Sequence, residues 1–223
     1  MFNNTEVDHL GSAAMKSDIL TRQTLKQALL QLSTQDRVMK DLMQTYGLPP
    51  LWRRRQDFQT LLHIVLEQKV SLASAAAVLA RVQALCPSMT PAEFLHTPEK
   101  SLRDAGISER KLSYCQSIAE ALVDDRLNLV RLRNLDDDAV IDALVEIRGI
   151  GPWSAGVYLL MAMRRADAWA SGDRALAVSA MECYALDDVP SYDALDDMAA
   201  RWSPCRGAAA RMLWQAYLCK RGQ

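Results

Sequence analysis

The 223 residues are half apolar and carry a formal net charge of -1 at pH 7, which excludes a disordered chain and a disulfide-stapled miniprotein. Alanine and leucine supply 31 residues each, against 20 for valine and isoleucine together, and this bias favours helices over strands. No apolar run reaches the roughly 18 residues that cross a bilayer, and the polar start lacks a secretory signal pattern. We therefore expect an all-α protein in the cytoplasm, or in the nucleus if the source is eukaryotic.

The five cysteines are scattered along the chain, and their number is odd. This pattern indicates free thiols in a reducing compartment. Neither the cysteines nor the three histidines have the spacing of an iron–sulfur cluster or a zinc site. We expect no iron–sulfur cluster, no zinc and no required cofactor. Because the net charge is nearly balanced, a nucleic-acid partner has to be argued from local charge.

In chain order, residues 1–17 are polar and unpatterned, which predicts a mobile leader before one folded domain over 18–223. Apolar residues at helical spacing then predict one long helical region that ends at Gly47 and the two prolines after it. Ser71 is a candidate N-cap. Further helices are predicted over 57–66, 71–85, 92–94, 99–105, 108–123, 136–147, 152–165 and 206–220. The expected architecture is one all-α domain in two lobes.

A glycine-rich link joins two of the predicted helices. Residues 148–152 are Arg-Gly-Ile-Gly-Pro, in which proline suits the first helical position and the glycines leave the backbone bare. Such a link can present backbone N–H groups to a phosphate at a helix N-terminus. A plain helix–helix connector has the same composition, so the link alone leaves both interpretations open.

Four further motifs follow this link in order: Trp-Ser-Ala-Gly-Val-Tyr-Leu-Leu-Met over 153–161, Ala-Trp-Ala-Ser-Gly-Asp over 168–173, Arg-Trp-Ser-Pro-Cys-Arg over 201–206 and Leu-Trp-Gln-Ala-Tyr-Leu over 213–218. With them the chain resembles the helix-hairpin-helix DNA glycosylases, and among these the 3-methyladenine DNA glycosylase II type, which excises alkylated purines. The resemblance covers roughly residues 51–218. It implies a hairpin over about 136–165, two helical lobes flanking a base-binding cleft, and damaged double-stranded DNA as the partner. We also expect a monomer without membrane contact.

The resemblance implies a role for each matching residue. The catalytic residue is Asp173, and the base-binding aromatic residues are Trp153, Tyr158 and Trp214. Contacts with DNA are implied for the hairpin and for the turn that fills the gap left by the flipped base, at Gln68, Lys69, Arg148, Gly149, Ile150, Gly151 and Ser154. A monovalent cation, Na+ or K+, would be bound by the backbone carbonyls of Val145, Ile147 and Ile150.

These residue types suit the removal of an alkylated purine. The target base has to leave the stack, and 3-methyladenine or 7-methylguanine is cationic, so it is already a good leaving group and binds indole faces. A carboxylate can stabilise the positive charge that develops on the sugar and orient the attacking water. Family members that also cut the DNA backbone have lysine at the position of Trp153. The resemblance therefore implies a monofunctional hydrolase that leaves an abasic site and initiates base excision repair.

Several of these residues also have ordinary structural interpretations. Asp173 follows Ser-Gly and could be a simple helix N-cap, and Trp153 and Trp214 could belong to the core. Either Lys69 or Gln68 could fill the gap. The family loop often has proline at the position of Ala170, and it often has tryptophan where this chain has a cysteine, Cys205.

Two other functions remain as alternatives. A DNA-binding protein could use the hairpin without catalysis, but it would need neither Asp173 nor the candidate pocket tryptophans. An enzyme for oxidised or mispaired bases is disfavoured by the missing lysine and the missing cluster cysteines. Local charge supports DNA binding, because residues 199–223 contain five basic residues and no acidic one, after an acidic segment over 187–197. This segregation predicts one basic face and one solvated acidic face; the arginines at 53–55 could add phosphate contacts or be a solvated charge run.

Overall fold

The structure is a computed structural model that describes residues 19–222. The α-helices in this part of the chain are α1 (Arg22–Gln35), α2 (Arg37–Tyr46), α3 (Phe58–Glu67), α4 (Leu72–Leu85), α5 (Pro91–His96), α6 (Glu99–Asp104), α7 (Glu109–Val123), α8 (Asp137–Val145), α9 (Pro152–Tyr158), α10 (Arg174–Tyr184), α11 (Tyr192–Ala200) and α12 (Arg206–Cys219). The described residues contain an isolated β-bridge between Ile19 and Arg165 and no strand. The all-α prediction is confirmed. The predicted leader, residues 1–17, lies outside the described residues.

The helices pack in two groups. One group consists of α1, α2, α10, α11 and α12, and the other consists of α3 to α7. Helices α8 and α9 pack against each other as a hairpin, and α9 also packs against α3. A continuous apolar core runs through both groups. The predicted two-lobed arrangement is therefore confirmed. Within residues 19–222, no helix has both the length and the apolar character needed to span a membrane.

Polar side chains fix several of the predicted helix starts. The Ser71 hydroxyl accepts the N–H of Ser74 at 3.2 Å, as predicted for the N-cap of α4. Asp57 and Asp136 accept the N–H groups of the third residues of α3 and α8, at 3.0 and 2.8 Å. These contacts satisfy N–H groups that have no partner inside the helix. The local sequence is sufficient to place these helices.

The first predicted helical region is in fact two helices, because Asp36 interrupts it. Its backbone is extended, with φ -131° and ψ 108°, and its Oδ1 accepts the N–H groups of Val38 and Met39 at 2.9 and 3.2 Å. Its Oδ2 accepts the Tyr184 hydroxyl at 2.7 Å and the Trp202 indole N–H at 3.0 Å. The partners of Oδ2 lie far away in the sequence, whereas the N-cap contacts of Oδ1 are local, so the aspartate itself is the sequence signal for the break that the apolar pattern does not show.

Two helices, α10 and α11, were missed by the sequence prediction. The buried face of α10 is built largely from small residues, Ala177, Ser179 and Ala180, which gives a weak apolar pattern. The start of α11 lies in a segment rich in aspartate. The signals that could have located both starts are the N-caps, where Asp173 and Ser191 accept backbone N–H groups.

The predicted basic face near the C-terminus is wrong. All five basic residues of this segment have partners in the structure. The pairs are Arg206 with Asp167 at 2.9 Å, Arg221 and Lys220 with Glu182 at 2.8 and 3.5 Å, Arg201 with Asp36 at 3.7 Å, and buried Arg211 with backbone carbonyls. The acidic partners come from other parts of the chain, so counting charges within one segment overstated the local positive charge.

The carboxyl group of Asp36 should make stability depend on pH. Burial alone would raise its pKa, but hydrogen bonds from Trp202 and Tyr184 outweigh burial and lower the pKa below the ordinary 3.8. Since the pKa is lower in the folded state, Asp36 stabilises the protein above pH 3.8, and this contribution is lost as the pH falls through the folded-state pKa.

We predict that Asp36→Asn lowers the free energy of unfolding at neutral pH by about 1.5–3 kcal/mol, the range for a hydrogen bond to a charged group. The difference from the wild type should shrink below pH 3.8. Urea denaturation of both proteins at neutral pH and at about pH 3 checks this. The same difference at both pH values would contradict the proposed contribution of the charge.

Candidate active site

Three N–H donors converge on the carboxylate of Asp173. The Trp153 indole donates to Oδ2 at 2.8 Å, the Trp214 indole donates to Oδ1 at 3.2 Å, and the backbone N–H of Leu176 donates to Oδ1 at 2.8 Å. Asp173 is 7% exposed. It is therefore the N-cap of α10 and, at the same time, a buried carboxylate between two tryptophans.

Each tryptophan reaches Asp173 from a different helix. Trp153 is the second residue of α9 and Trp214 lies in the middle of α12, whereas Asp173 directly precedes α10. Both indoles contact the carboxylate through their N–H edges. The rings thus orient Asp173 through their N–H groups, and this contact does not involve their apolar faces. The structure brings together three of the four residues expected at the catalytic and base-binding positions.

Tyr158, the fourth of these residues, lies in the core. Its side chain is 0% exposed, and its hydroxyl has no hydrogen-bond partner among residues 19–222. Burial raises the pKa of this phenol well above its ordinary range. The described conformation offers no open face of the ring to a base, because five residues of helix turn Tyr158 away from the side occupied by Trp153.

Trp52 lies beside Trp214, although the sequence patterns did not single it out. The ring centroids are 6.3 Å apart and the ring planes meet at 82°, which is a favourable edge-to-face arrangement. The backbone of Trp52 has φ 43°, a left-handed conformation that costs a bulky residue about 1–3 kcal/mol. Strain of this size at a half-buried aromatic residue marks the position as a candidate pocket residue. Its only local signal is a tryptophan shortly after two prolines.

Buried Arg211 holds the segment that carries Trp52. Its guanidinium donates to the backbone carbonyls of Leu51, Leu160 and Gly207, and burial lowers its pKa to about 10. Leu160 belongs to a π-helical turn (Leu159–Met163) that follows α9, so the helix predicted over 152–165 changes character after residue 158. Arg211 thereby connects three elements around the site: the Trp52 segment, the end of α9, and α12.

The two glycines of the hairpin have different structural roles. Gly149 has φ 99°, and a Cβ atom at this position would lie 2.4 Å from the Cβ of Tyr114. Gly151 has an extended backbone, and a Cβ atom there would meet nothing within 4 Å. Gly149 is therefore required by packing, whereas Gly151 leaves the outer face of the hairpin open. Arg148, between α8 and α9, is exposed.

Gln68 connects the turn after α3 to the hairpin. Its amide nitrogen donates to the carbonyl of Gly149 at 2.9 Å and to the hydroxyl of Ser154 at 3.1 Å. Lys69, the next residue, is exposed and has φ 58°. The side chains of Ile150 and Ser154 are buried, so contact of these residues with DNA would involve the backbone. The DNA-contact assignments stay predictions.

A buried ion-pair cluster supports the end of α3. Glu67 accepts two hydrogen bonds from Arg54, at 2.9 and 2.6 Å, and lies 3.4 Å from His63. Burial lowers the pKa of His63, although Glu67 opposes this shift. Since Arg54 is engaged here, only Arg53 and Arg55 of the arginine run are exposed.

The predicted cation ligands are backbone carbonyls at the end of α8 and in the hairpin turn. The Ile147 carbonyl accepts the N–H of Ile150 at 3.0 Å, and a carbonyl oxygen has two lone pairs, so one lone pair remains for a cation. Within residues 19–222, no group of three or more His, Cys, Asp or Glu side chains could hold a metal ion.

Comparison with known proteins identifies the family. Residues 62–205, more than half of the chain, match the HhH-GPD superfamily of base excision DNA repair proteins. The chain belongs to this superfamily. The family expected from the sequence is thereby confirmed.

Individual relatives cover the chain to different extents. DNA-3-methyladenine glycosylase 1 of Schizosaccharomyces pombe is 25% identical over 90% of this chain and 90% of its own length. The YfjP protein of Bacillus subtilis is 29% identical over 52% of this chain, and the match spans only 41% of that protein. The structure of S. pombe Mag1 with abasic DNA superposes with a TM-score of 0.77 at 25% identity, covering 84% of this chain and 95% of that chain.

Proposed function

We propose that this protein is a monofunctional DNA glycosylase that hydrolyses the N-glycosidic bond of alkylated purines in duplex DNA. The observation that carries the proposal is the buried Asp173 carboxylate, oriented by the indole N–H groups of Trp153 and Trp214. The extended similarity to DNA-3-methyladenine glycosylase 1 and to Mag1 bound to abasic DNA supports it. The abasic site left by the reaction is the starting point of base excision repair.

The carboxylate is suited to a cationic transition state. Cleavage sends the electron pair of the glycosidic bond to the base and leaves positive charge on the sugar, which the negative charge of Asp173 stabilises. A carboxylate has about four lone-pair sites, and three of them accept N–H groups. The remaining site can orient a water molecule. As the water oxygen attacks the sugar carbon, the carboxylate accepts a proton from the water. The products are the free base and an abasic sugar.

The aromatic side chains around Asp173 suit a positively charged base. A methylated purine such as 7-methylguanine leaves as a neutral molecule, so the reaction needs no general acid. Indole faces attract such a cation by about 0.5–2 kcal/mol each. Trp52 joins Trp153 and Trp214 in this proposed pocket, because its ring packs against Trp214 and the residue is only half-buried.

The hairpin and the neighbouring turn provide the proposed contacts with DNA. Gly151 precedes α9 and provides no side-chain cap, so the first N–H groups of this helix are available to a phosphate. Exposed Arg148 adds positive charge. Since the amide of Gln68 is engaged with the hairpin, we assign the gap-filling role to the exposed Lys69.

The proposed monovalent cation would be a structural component of the hairpin. The carbonyl oxygens of Val145, Ile147 and Ile150 would hold it, and oxygen ligands of this kind suit Na+ or K+. Its charge would stabilise a phosphate next to the hairpin. The proposed hydrolysis requires no other cofactor.

We predict that Asp173→Asn lowers the excision of 7-methylguanine from methylated duplex DNA by about 100- to 1000-fold, because the amide lacks the negative charge. Affinity for a duplex with a stable abasic analogue should stay close to that of the wild type. Single-turnover rates and binding titrations measure the two effects.

A matched variant separates charge from local strain. In Asp173→Asn the new amide would place an NH2 group against the indole N–H of Trp153. The double variant Asp173→Asn/Trp153→Phe removes this N–H and should be more thermally stable than Asp173→Asn alone. Trp153→Phe alone keeps the charge and should retain more activity than either variant that carries the amide. Recovery of excision in the double variant would contradict the assignment of Asp173 as the catalytic residue.

We predict that Gly151→Val weakens binding to damaged and undamaged duplexes alike, by about tenfold, the cost of one hydrogen bond to a charged group. The contact involves phosphate and therefore carries no base preference. The melting temperature should not change, since a Cβ atom at this position meets nothing within 4 Å. Unchanged affinity for both duplexes would rule out this part of the hairpin as a phosphate contact.

We predict that Trp52→Leu reduces excision of cationic 7-methylguanine about 2- to 30-fold more than excision of neutral hypoxanthine, which is the rate equivalent of one lost cation–π contact. Trp52 is well suited to this test because the hydrogen bonds to Asp173 come from other residues. Single-turnover rates on both bases are measured at a temperature at which the variant is folded. Equal losses on both bases would indicate that Trp52 only supports packing.

A further inference from the structure

The loop that carries Asp173 is bound to α11 by one carboxylate. The indole N–H of Trp169 donates to Oδ1 of Asp196 at 2.7 Å, and the hydroxyl of Ser171 donates to Oδ2 of the same residue. Only Gly172, with φ 82°, separates Ser171 from Asp173. Both oxygens of Asp196 are therefore engaged by the segment directly before the candidate catalytic residue.

The opposite side of this loop lies against the hairpin. A Cβ atom at Gly156 in α9 would lie 2.3 Å from the carbonyl oxygen of Trp169 and 2.9 Å from the Cα of Ala170. The loop backbone thus packs directly onto the bare surface of α9, with no room for a side chain. Trp153 lies three residues earlier on this helix, which places it on the same face as Gly156.

Together these contacts determine how far Asp173 lies from Trp153. The packing at Gly156 sets the distance between the loop and α9, and Asp196 holds the loop in this position from α11. The 2.8 Å bond from the Trp153 indole to Asp173 requires this distance. A loop released from α11 could move away from α9 and lose the bond.

We propose that Asp196 is a positioning residue, which holds the loop over residues 168–172 against α9 so that Asp173 keeps its two indole hydrogen bonds. Its role in the reaction rests on the proposed glycosylase function. The sequence pattern placed Asp196 on a solvated acidic face, but the structure distinguishes it from Asp193 and Asp197, which are exposed. Asp196 acts on the reaction only through the loop.

This role depends on hydrogen bonding and not on charge, so two substitutions should behave differently. In Asp196→Asn, the amide oxygen can accept the Trp169 N–H, and the amide NH2 group can donate to the Ser171 hydroxyl oxygen. Asp196→Ala removes both contacts. Asp197→Ala is the matched control, because it makes the same substitution at the next position of α11, where the side chain is exposed.

The first measurement needs no substrate. The indole N–H resonances of 15N-tryptophan protein report the hydrogen bonds to Asp173, and Trp153→Phe and Trp214→Phe assign the two signals. We expect Asp196→Ala to shift or broaden both signals, whereas Asp196→Asn and Asp197→Ala leave them close to their wild-type positions. Unchanged signals in Asp196→Ala would overturn the proposal.

The second measurement is single-turnover excision of 7-methylguanine, together with affinity for a duplex containing a stable abasic analogue. We expect Asp196→Ala to excise about 10- to 100-fold more slowly, as displacement of a catalytic group by about 1 Å does, at nearly unchanged DNA affinity. Asp196→Asn should stay within about threefold of the wild type, since it keeps the loop in place. Equal losses in Asp196→Ala and Asp196→Asn would show that the charge matters and would overturn the positioning role.

The proposal can still be tested if Asp196→Ala does not fold or if the wild type is inactive. If Asp196→Ala does not fold, Ser171→Ala removes one of the two contacts and should cause a smaller loss in the same direction; wild-type rate and wild-type indole signals in Ser171→Ala would then count against the proposal. If the wild-type protein releases no alkylated base, the proposed function fails. The indole resonances still decide whether Asp196 positions Asp173.

Discussion

Among residues 19–222, no cationic side chain is hydrogen-bonded to Asp173, so its charge is held in place without being neutralised. Its three hydrogen-bond donors, two indoles and one backbone amide, are all neutral. Other carboxylates of the chain, such as Glu67 with Arg54, are bonded directly to guanidinium groups. A guanidinium would orient a carboxylate equally well, but it would cancel much of its attraction for a cationic sugar. Neutral donors provide orientation and leave the field of the carboxylate directed at its surroundings.

The fold is needed to bring these donors to one point. Trp153 arrives with the hairpin, which Gln68 ties to the end of α3, whereas Trp214 arrives with α12. The third donor belongs to the first turn of α10, where the partial positive charge of a helix N-terminus favours a carboxylate. Because each donor belongs to a different element, the environment of Asp173 exists only when the hairpin is packed against the group of helices that contains α10 and α12.

Features based on contacts between sequence neighbours could be predicted from the sequence. The N-cap at Ser71 and the glycine-rich hairpin belong to this class, because the responsible residues lie within a few positions of each other. The long-range hydrogen bonds of Asp36 and the neutralised C-terminal basic residues do not. Their partners, such as Tyr184 for Asp36 and Glu182 for Arg221, are distant in the sequence and become neighbours only through packing.

The candidate site shows the same division. Asp173 and the two tryptophans that contact it could be identified because their motifs match a family in order and spacing, although their mutual hydrogen bonds could not be. Trp52 could not be predicted as a pocket residue, because it belongs to no motif and only the packing places it beside Trp214. Tyr158 was expected in the pocket, but only the path of the helix decides which face a residue occupies.

Trp153 suits the proposed hydrolysis better than a lysine at this position would. A lysine there would bring a primary amine close to the sugar. Its neutral form could attack the sugar carbon, and its protonated form would weaken the field of the Asp173 carboxylate. An indole has no nucleophilic nitrogen to form a Schiff base with the sugar, and its N–H can only donate, as it does to Asp173. With tryptophan in place, the attacking group for the proposed reaction has to be water. In the proposed hydrolysis, the residue that supplies no amine nucleophile thus also orients the carboxylate.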